Sequence, residues 1–358
     1  MTQRERQILQ LIESNPMISQ QELADKLGIT RSSVAVHISN LIKKGAIAGK
    51  GYVLRSRSYA VVVGGVNVDI GGHSFRPLVA SDSNPGRITV SLGGVGRNIA
   101  HNLSLMGLDV RLLTAYGNDL NGERVAASCS ELGIDLSCAL RVSGESTSTY
   151  LYMTDERGEM ALAVSDMEVC QRITPEYLAA NLPLLQNAQV VVADCNIPAE
   201  SLEYLAHHVT VPLFIDPVST VKAEKLRPIM DKIHTLKPNR LEAELLSGIR
   251  ITSKEDVSRA ADKLLEMGVH RLFISLGSDG VLAAMGNERL WLPNLPGQMV
   301  NTTGCGDAFT AALVWAYLEG MDLRNTALAG LAAGCIAMES RETINPAMSA
   351  ERLKTRMK

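Results

Sequence analysis

Residues 301–309 read NTTGCGDAF, and the apolar run TAALVWAYLEG (310–320) follows at once. That run has the composition of a buried helix, so the two glycines stand where its N-terminus would lie. Gly304 and Gly306 let successive backbone N–H groups turn toward one point, which makes an anion-binding nest reinforced by the helix dipole. Asp307 falls inside the first turn. A carboxylate beside an anion site is electrostatically out of place unless it serves as a base, accepting a proton from a hydroxyl while the N–H groups hold developing charge. A helix-capping aspartate is the bland alternative. The pattern G-x-x-x-x-G-K-[ST] is absent, so a Walker-type site is not expected.

Working outward, apolar runs of strand length recur at 60–66, 110–115, 189–194, 211–216, 233–236 and 271–276, with amphipathic helical patterns between them, among them 96–106, 121–132, 254–267 and 305–319. Repeated βα alternation predicts a mostly parallel sheet covered on both faces. Segments 74–92 and 146–166 break the rhythm, and the second reads as a hairpin turning at 155–158. Strands that leave the main sheet can form a lid, or an edge that pairs with a second subunit. A homodimer is therefore expected. Ligands of open α/β sheets gather beyond the carboxyl ends of the strands.

Three further motifs sit at such ends. GGVNVD (64–69) places Asn67 and Asp69 on alternate positions of an extended segment, so both side chains share a face and suit a pair of sugar hydroxyls; a turn-stabilising pair is the alternative. GGVGRN (93–98) opens a helix, where Gly93 and Gly94 allow a ligand close to the backbone and Asn98 reaches it from the first turn. It is not the dinucleotide fingerprint. KPNRLEAELL (237–246) spaces Asn239 and Glu242 by one helical turn. Glu242 can there hold Mg²⁺ through water, or the two residues can form a capping box.

The chain has 358 residues, 46% of them hydrophobic, which supports two domains and a large core. Residues 1–58 hold nine Lys/Arg against four Asp/Glu, a net +5, which leaves −8 for the remainder of a chain whose total is −3. A basic head on an acidic body implies separate partners. In the head, RERQILQLIESN, SQQELADKLG and RSSVAVHISNLIKKG read as three helices, the second opened by Ser19 and Glu22, the third capped by Thr30 with Val34, Ile38, Leu41 and Ile42 as its apolar stripe; AIAGKGYVLR (46–55) reads as a hairpin. This resembles a winged helix-turn-helix domain at 1–55, joined by a linker at 56–59. In such a domain Arg31, Ser32, Ser33 and His37 would face the bases of double-stranded DNA, with Lys43, Lys44 and Lys50 at phosphates. A small docking or dimerisation module is the alternative. The opening MTQRERQ carries no apolar leader core, and the longest low-polarity run late in the chain, 326–338, is short of the roughly 20 residues of a membrane span. Six scattered cysteines form no C-x-x-C pair, which predicts neither zinc nor a redox centre and fits the cytoplasm.

Taken in order, the four motifs resemble the ribokinase family of sugar and nucleoside kinases, from about residue 60 to the C-terminus, and the surrounding runs SDSNPG, SLGGVGRNIAHNLSLMG, VVADCNI, DPVS and IHTLKPNRLEAELLSGI resemble its pseudouridine kinases. The resemblance implies a ribokinase-like α/β fold at 60–358, a mostly parallel sheet flanked by helices with a small β lid. It implies ATP- and Mg²⁺-dependent phosphorylation of a nucleoside 5′-hydroxyl, pseudouridine first. By it, Asp307 is the base; Gly304, Cys305 and Gly306 form the anion hole; Asn67, Asp69, Gly93, Gly94 and Asn98 hold the ribose. Asn239 and Glu242 organise Mg²⁺ and the triphosphate, and Ser275, Gly277 and Gly280 contact ATP. Ser81, Ser83, Asn84 and Thr149 are expected to read the base. Two departures stand out. Val95 replaces a lysine common in ribokinases, which leaves room for a base at the anomeric position. Asn301 replaces the aspartate of potassium-using members, which argues against K⁺ activation. Uridine, adenosine, inosine or ribose are alternative acceptors, and a transcription regulator that uses the kinase fold to sense ligand is the alternative of another class.

Overall fold

The computed structural model describes residues 1–15, 18–47 and 58–358, and the chain divides into two compact units, Met1–Ser58 and Tyr59–Lys358. The predicted hairpin at 46–55 and Lys50 lie largely outside the described residues. In the first unit, helices Gln3–Ser14, Gln20–Leu27 and Arg31–Lys43 each begin on a hydroxyl cap, from Thr2, Ser19 and Thr30. Glu5 closes the first capping box and also receives the Lys44 ammonium at 2.8 Å, tying the first helix to the end of the third. Val34, Ile38 and Leu41 pack against Ile8, Ile12 and Leu23. Ile42, expected in that stripe, is 46% exposed, because its place on the helix lies well off the line through the other three.

The second unit is built on a mixed sheet, eight strands among the described residues, ordered Glu288–Leu292, Val281–Met285, Arg271–Ser275, Thr235–Leu236, Leu213–Asp216, Val190–Asp194, Tyr59–Val63, Asp109–Leu113. The six from Arg271–Ser275 to Asp109–Leu113 run parallel, and the two at the other end are antiparallel. Strands such as YAVVV and VVVAD are buried along their whole length, as a sheet covered on both faces requires. Helices Val95–Leu105, Cys305–Leu318 and Leu323–Met338 pack on one face; Ala199–His208, Arg240–Ser247 and Lys254–Glu266 pack on the other. Strand order reverses direction at Tyr59–Val63, whose neighbours are Val190–Asp194 on one side and Asp109–Leu113 on the other. Ligands of open α/β sheets gather beyond the carboxyl ends of the strands at such a switch point.

A second sheet leaves the main one: Gly86–Gly93, Asn67–Ser74, Thr149–Thr154 and Met160–Asp166, in that order. The 146–166 hairpin forms as expected, with Gly158 N–H donating to the Asp155 carbonyl at its turn. In the 74–92 segment residues 75–85 form no strand, while the part from Gly86 pairs with Asn67–Ser74.

Candidate active site

The motifs GGVNVD, GGVGRN, KPNRLEAELL and NTTGCGDAF arrive at the carboxyl edge of the main sheet or on the base of the small one. Gly64 and Gly65 follow the first strand, where Gly65 N–H donates to Asp194 Oδ2 at 3.0 Å. A side chain on Gly64 would collide with that carboxylate. The GGVGRN turn folds over this point: Gly94 has φ +96°, and a Cβ there would strike the backbone of Gly65 and Val66. The turn therefore presents helix Val95–Leu105 with Asn98 in its first turn, and Asn98 is only 5% exposed.

Asn98 joins the two ends of the chain. Its Nδ2 donates to Asp307 Oδ2 at 2.8 Å across 209 residues of sequence, and its own Oδ1 is buried without a partner. Asp307 lies in the first turn of helix Cys305–Leu318, whose Gly304 cap has φ +83° and carries no side-chain cap. Burial, and then the neighbouring Asp216 charge, push the Asp307 carboxyl up to about 7, against the Asn98 hydrogen bond and the Lys237 ammonium, which favour its charged form. A carboxyl with that affinity can exchange a proton near neutral pH.

Residues the sequence reading did not single out complete the electrostatics. Asp216 ends strand Leu213–Asp216 and Lys237 follows strand Thr235–Leu236; they form a buried ion pair at 3.1 Å. Asp216 also accepts from Thr310 Oγ1 at 2.7 Å and from Val218 N–H at 3.0 Å. Val218 itself sits at φ +68°, a costly conformation for a β-branched residue, which the turn imposes while wrapping the carboxylate. Burial alone would lower the Lys237 ammonium; the Asp216, Asp307 and Glu242 charges around it outweigh this and hold it above its ordinary value. The Lys237 Nζ lies 3.2 Å from where a Cβ on Gly306 would stand. A cation thus meets the helix N-terminus from below, and glycine keeps the approach open.

On the outer side of that turn lies a cavity of about 510 Å³, lined by Lys237, Ser275, Gly277, Gly280, Cys305 and Gly306 together with Asn294, Met299, Phe309, Leu331, Cys335 and Met338. Gly277 and Gly280 have φ +60° and +88°, and Asn294 Nδ2 donates to the Gly277 carbonyl at 2.7 Å, holding the loop as one wall. Mostly apolar walls ending on the Lys237 ammonium suit a flat aromatic group with a polyanionic tail; of the N–H groups expected to form an anion nest there, that of Cys305 donates to the Thr302 carbonyl at 3.3 Å. Asn239 and Glu242 flank the same edge. They form the reciprocal capping box: Asn239 N–H donates to Glu242 Oε2 at 2.8 Å and Glu242 N–H to Asn239 Oδ1 at 2.9 Å. Burial raises the Glu242 carboxyl, against the Asn239 hydrogen bond and Lys237. Among the described residues no group of three or more His, Cys, Asp or Glu is placed to hold a metal ion.

Asn67 and Asp69 sit on the small sheet with Asn67 Nδ2 donating to Asp69 Oδ1 at 2.5 Å. Gly93, the register partner of Asn67, leaves the space that both side chains occupy. Burial raises the Asp69 carboxyl against that hydrogen bond and the Arg97 charge. Register also assigns the faces of this sheet. Asp69 pairs with Ser91 and Tyr150, and Gly71 with Thr89 and Tyr152, so these four side chains share the face of Asp69. Tyr150 and Tyr152 lie 5.8 Å apart, and His73 meets Tyr152 edge-on. Thr149 pairs with Val68 and so faces the other way, bonded to the Thr147 carbonyl. Asn84 spends its amide on Val79 and Asp82 of its own loop, next to Ser81 and Ser83 on an exposed stretch.

In the head, Arg31, Ser32 and Ser33 are exposed at the start of the third helix. His37 lies on its flank, half-buried, with Nδ1 buried and unpartnered.

Comparison with known proteins agrees with this geometry. The pfkB family carbohydrate kinase model matches residues 57–350, and a winged helix-turn-helix DNA-binding model matches residues 1–48. A pseudouridine kinase of Escherichia coli K12 is 41% identical over 298 residues, 83% of this chain and 95% of that protein. An uncharacterized sugar kinase of the same organism, YeiI, is also 41% identical, over 355 residues and 98% of both chains, so its likeness extends through the head. Among solved structures, a ribokinase from Thermotoga maritima superposes with a TM-score of 0.75 at 25% identity, covering 83% of this chain and 98% of that one.

Proposed function

The chain belongs to the pfkB family of carbohydrate kinases, phosphotransferases with an alcohol acceptor, and from that premise we propose that it phosphorylates the 5′-hydroxyl of a nucleoside, pseudouridine before others, with ATP as donor. The observation that carries the reading is the Asn98–Asp307 hydrogen bond, which brings the ribose-side turn and the anion-side turn to one point.

In this reading Asn67, Asp69, the Gly93–Gly94 turn and Asn98 hold the ribose, and Asp307 takes the 5′-hydroxyl proton as the oxygen attacks the γ-phosphorus. The backbone N–H groups of Gly304, Cys305 and Gly306, with Lys237 beneath them, receive the charge of the transferring phosphoryl group. Most of the acceleration then comes from position and charge rather than covalent chemistry. The adenine and ribose of ATP occupy the cavity walled by Ser275, Gly277 and Gly280. Mg²⁺ would neutralise the triphosphate, held through water near Glu242, whose Oε2 is engaged in the cap; a hydrated ion of this kind needs only one or two carboxylates. Asn301, whose amide bonds the Arg341 carbonyl and the Thr303 N–H, supplies no carboxylate for K⁺.

The nucleoside rather than a free sugar is supported by the aromatic pair beside Asp69, which offers a planar base a surface to stack on. Pseudouridine has a ring N–H that uridine lacks, and a site that pairs it discriminates between the two. An ADP-release assay over pseudouridine, uridine, adenosine, inosine and ribose tests this: pseudouridine is expected to give the highest kcat/KM by at least tenfold. Equal rates on uridine and pseudouridine would overturn the substrate assignment, and ribose as best acceptor would overturn the nucleoside reading.

The head is proposed to bind double-stranded DNA through its third helix. That helix, RSSVAVHISNLIK, contains no acidic residue and starts with exposed Arg31, Ser32 and Ser33. In the same reading the protein is a cytoplasmic homodimer.

A further inference from the structure

The face of the third head helix that points away from its core is a single row, and one member of that row is chemically out of keeping. Val34, Ile38 and Leu41 are buried. Diametrically opposite, at intervals of four, three and four residues, run Ser32, Val36, Ser39 and Lys43, all exposed. Three are hydroxyl or ammonium groups; Val36 is a β-branched hydrocarbon with 60% of its surface in water. A lone exposed apolar side chain carries no message by itself. Here it stands in the second turn of a helix that lacks any acid, in a unit of net charge +5, between the hydroxyls of Ser32 and Ser39. Such a row matches the major groove, whose floor offers hydrogen-bonding edges and, at thymine alone, a methyl group.

We propose that Val36 is the specificity-determining apolar contact of this helix, packing on the C5 methyl of a thymine, while Arg31, Ser32 and Ser39 meet the polar edges and phosphates around it. The inference rests on the reading of the head as a DNA-binding unit and goes beyond it by naming the residue and the base.

The test uses the full-length protein to select its preferred duplex from a random-sequence library, after which each thymine of the selected site is replaced singly by deoxyuridine, which removes only the methyl. One thymine per half-site is expected to show about a fourfold loss of affinity on replacement, the effect of burying one methyl group. Val36→Ser should bind the thymine duplex about fourfold more weakly and lose all distinction between thymine and uracil there. Val36→Thr, which keeps a methyl, should retain it. Position 36 is exposed, so both variants are expected to melt with the wild type. A selected site indifferent to every replacement, or a Val36→Ser variant that still senses the methyl, overturns the assignment and leaves DNA binding standing. Failure to enrich any sequence over random DNA removes the DNA reading itself, and this inference with it.

Discussion

Asp307 is disfavoured as a charge by its surroundings and yet must be charged to act, and both halves of that conflict can be measured. With its carboxyl raised to about 7 by burial and by Asp216, kcat is expected to rise with pH through that value and level off above it. Asp307→Asn should cut kcat by about 10²–10⁴, the usual contribution of a positioned base, with KM for the acceptor little changed, and should lose this acid limb. Near-normal turnover in the variant would remove Asp307 from the reaction. Stability should move the other way. A carboxyl whose proton is held more tightly folded than unfolded contributes stability at low pH and loses it as pH rises through the folded value. The asparagine variant, uncharged throughout, is therefore expected to melt higher than wild type at pH 8 by about 2–4 °C, with the gap closing toward pH 4. Differential scanning fluorimetry across that range decides it.

The elements were legible where a local signal sufficed. VVV and VVVAD announced buried strands, Ser19 with Glu22 announced a capping box, and the glycines of NTTGCGDAF announced the open helix end that the structure has. Pairing across the sheet was not legible. Asp216 and Lys237 are 21 positions apart and meet only because their strands are neighbours. Which of Thr149 and Tyr150 shares the face of Asp69 depends on register, which a one-residue shift reverses. The Asn239–Glu242 pair was readable as cap or as ligand set, and the structure shows the cap formed. Glu242→Gln separates the two roles, since glutamine also closes a capping box. The variant should melt within about 1 °C of wild type yet need roughly tenfold more Mg²⁺ for half-maximal rate. A lowered melting point with unchanged Mg²⁺ dependence would leave Glu242 a cap alone.

At the scale of the molecule, the small sheet has one face too many. Asp69, Tyr150 and Tyr152 occupy one side; the other carries Ile88, Val90, Leu151, Leu162 and Val164, each between 45% and 74% exposed. Contiguous apolar surface of this kind is costly in water and marks an interaction site. A second copy is the simplest occupant, because an isologous contact sets the same face against itself and closes without leaving a free patch. Light scattering coupled to size exclusion should therefore report a dimer of about 77 kDa, twice the 38.6 kDa chain. Ile88→Glu combined with Leu162→Glu should give a folded monomer, since both side chains already face water. The kinase consequence follows from where the sheet lies: with Asn67 and Asp69 on its base, loss of the partner should raise acceptor KM more than it lowers kcat. Wild type eluting as a monomer at micromolar concentration would discard the partner and leave the exposed row to another ligand. A dimer untouched by the two glutamates would place the interface elsewhere.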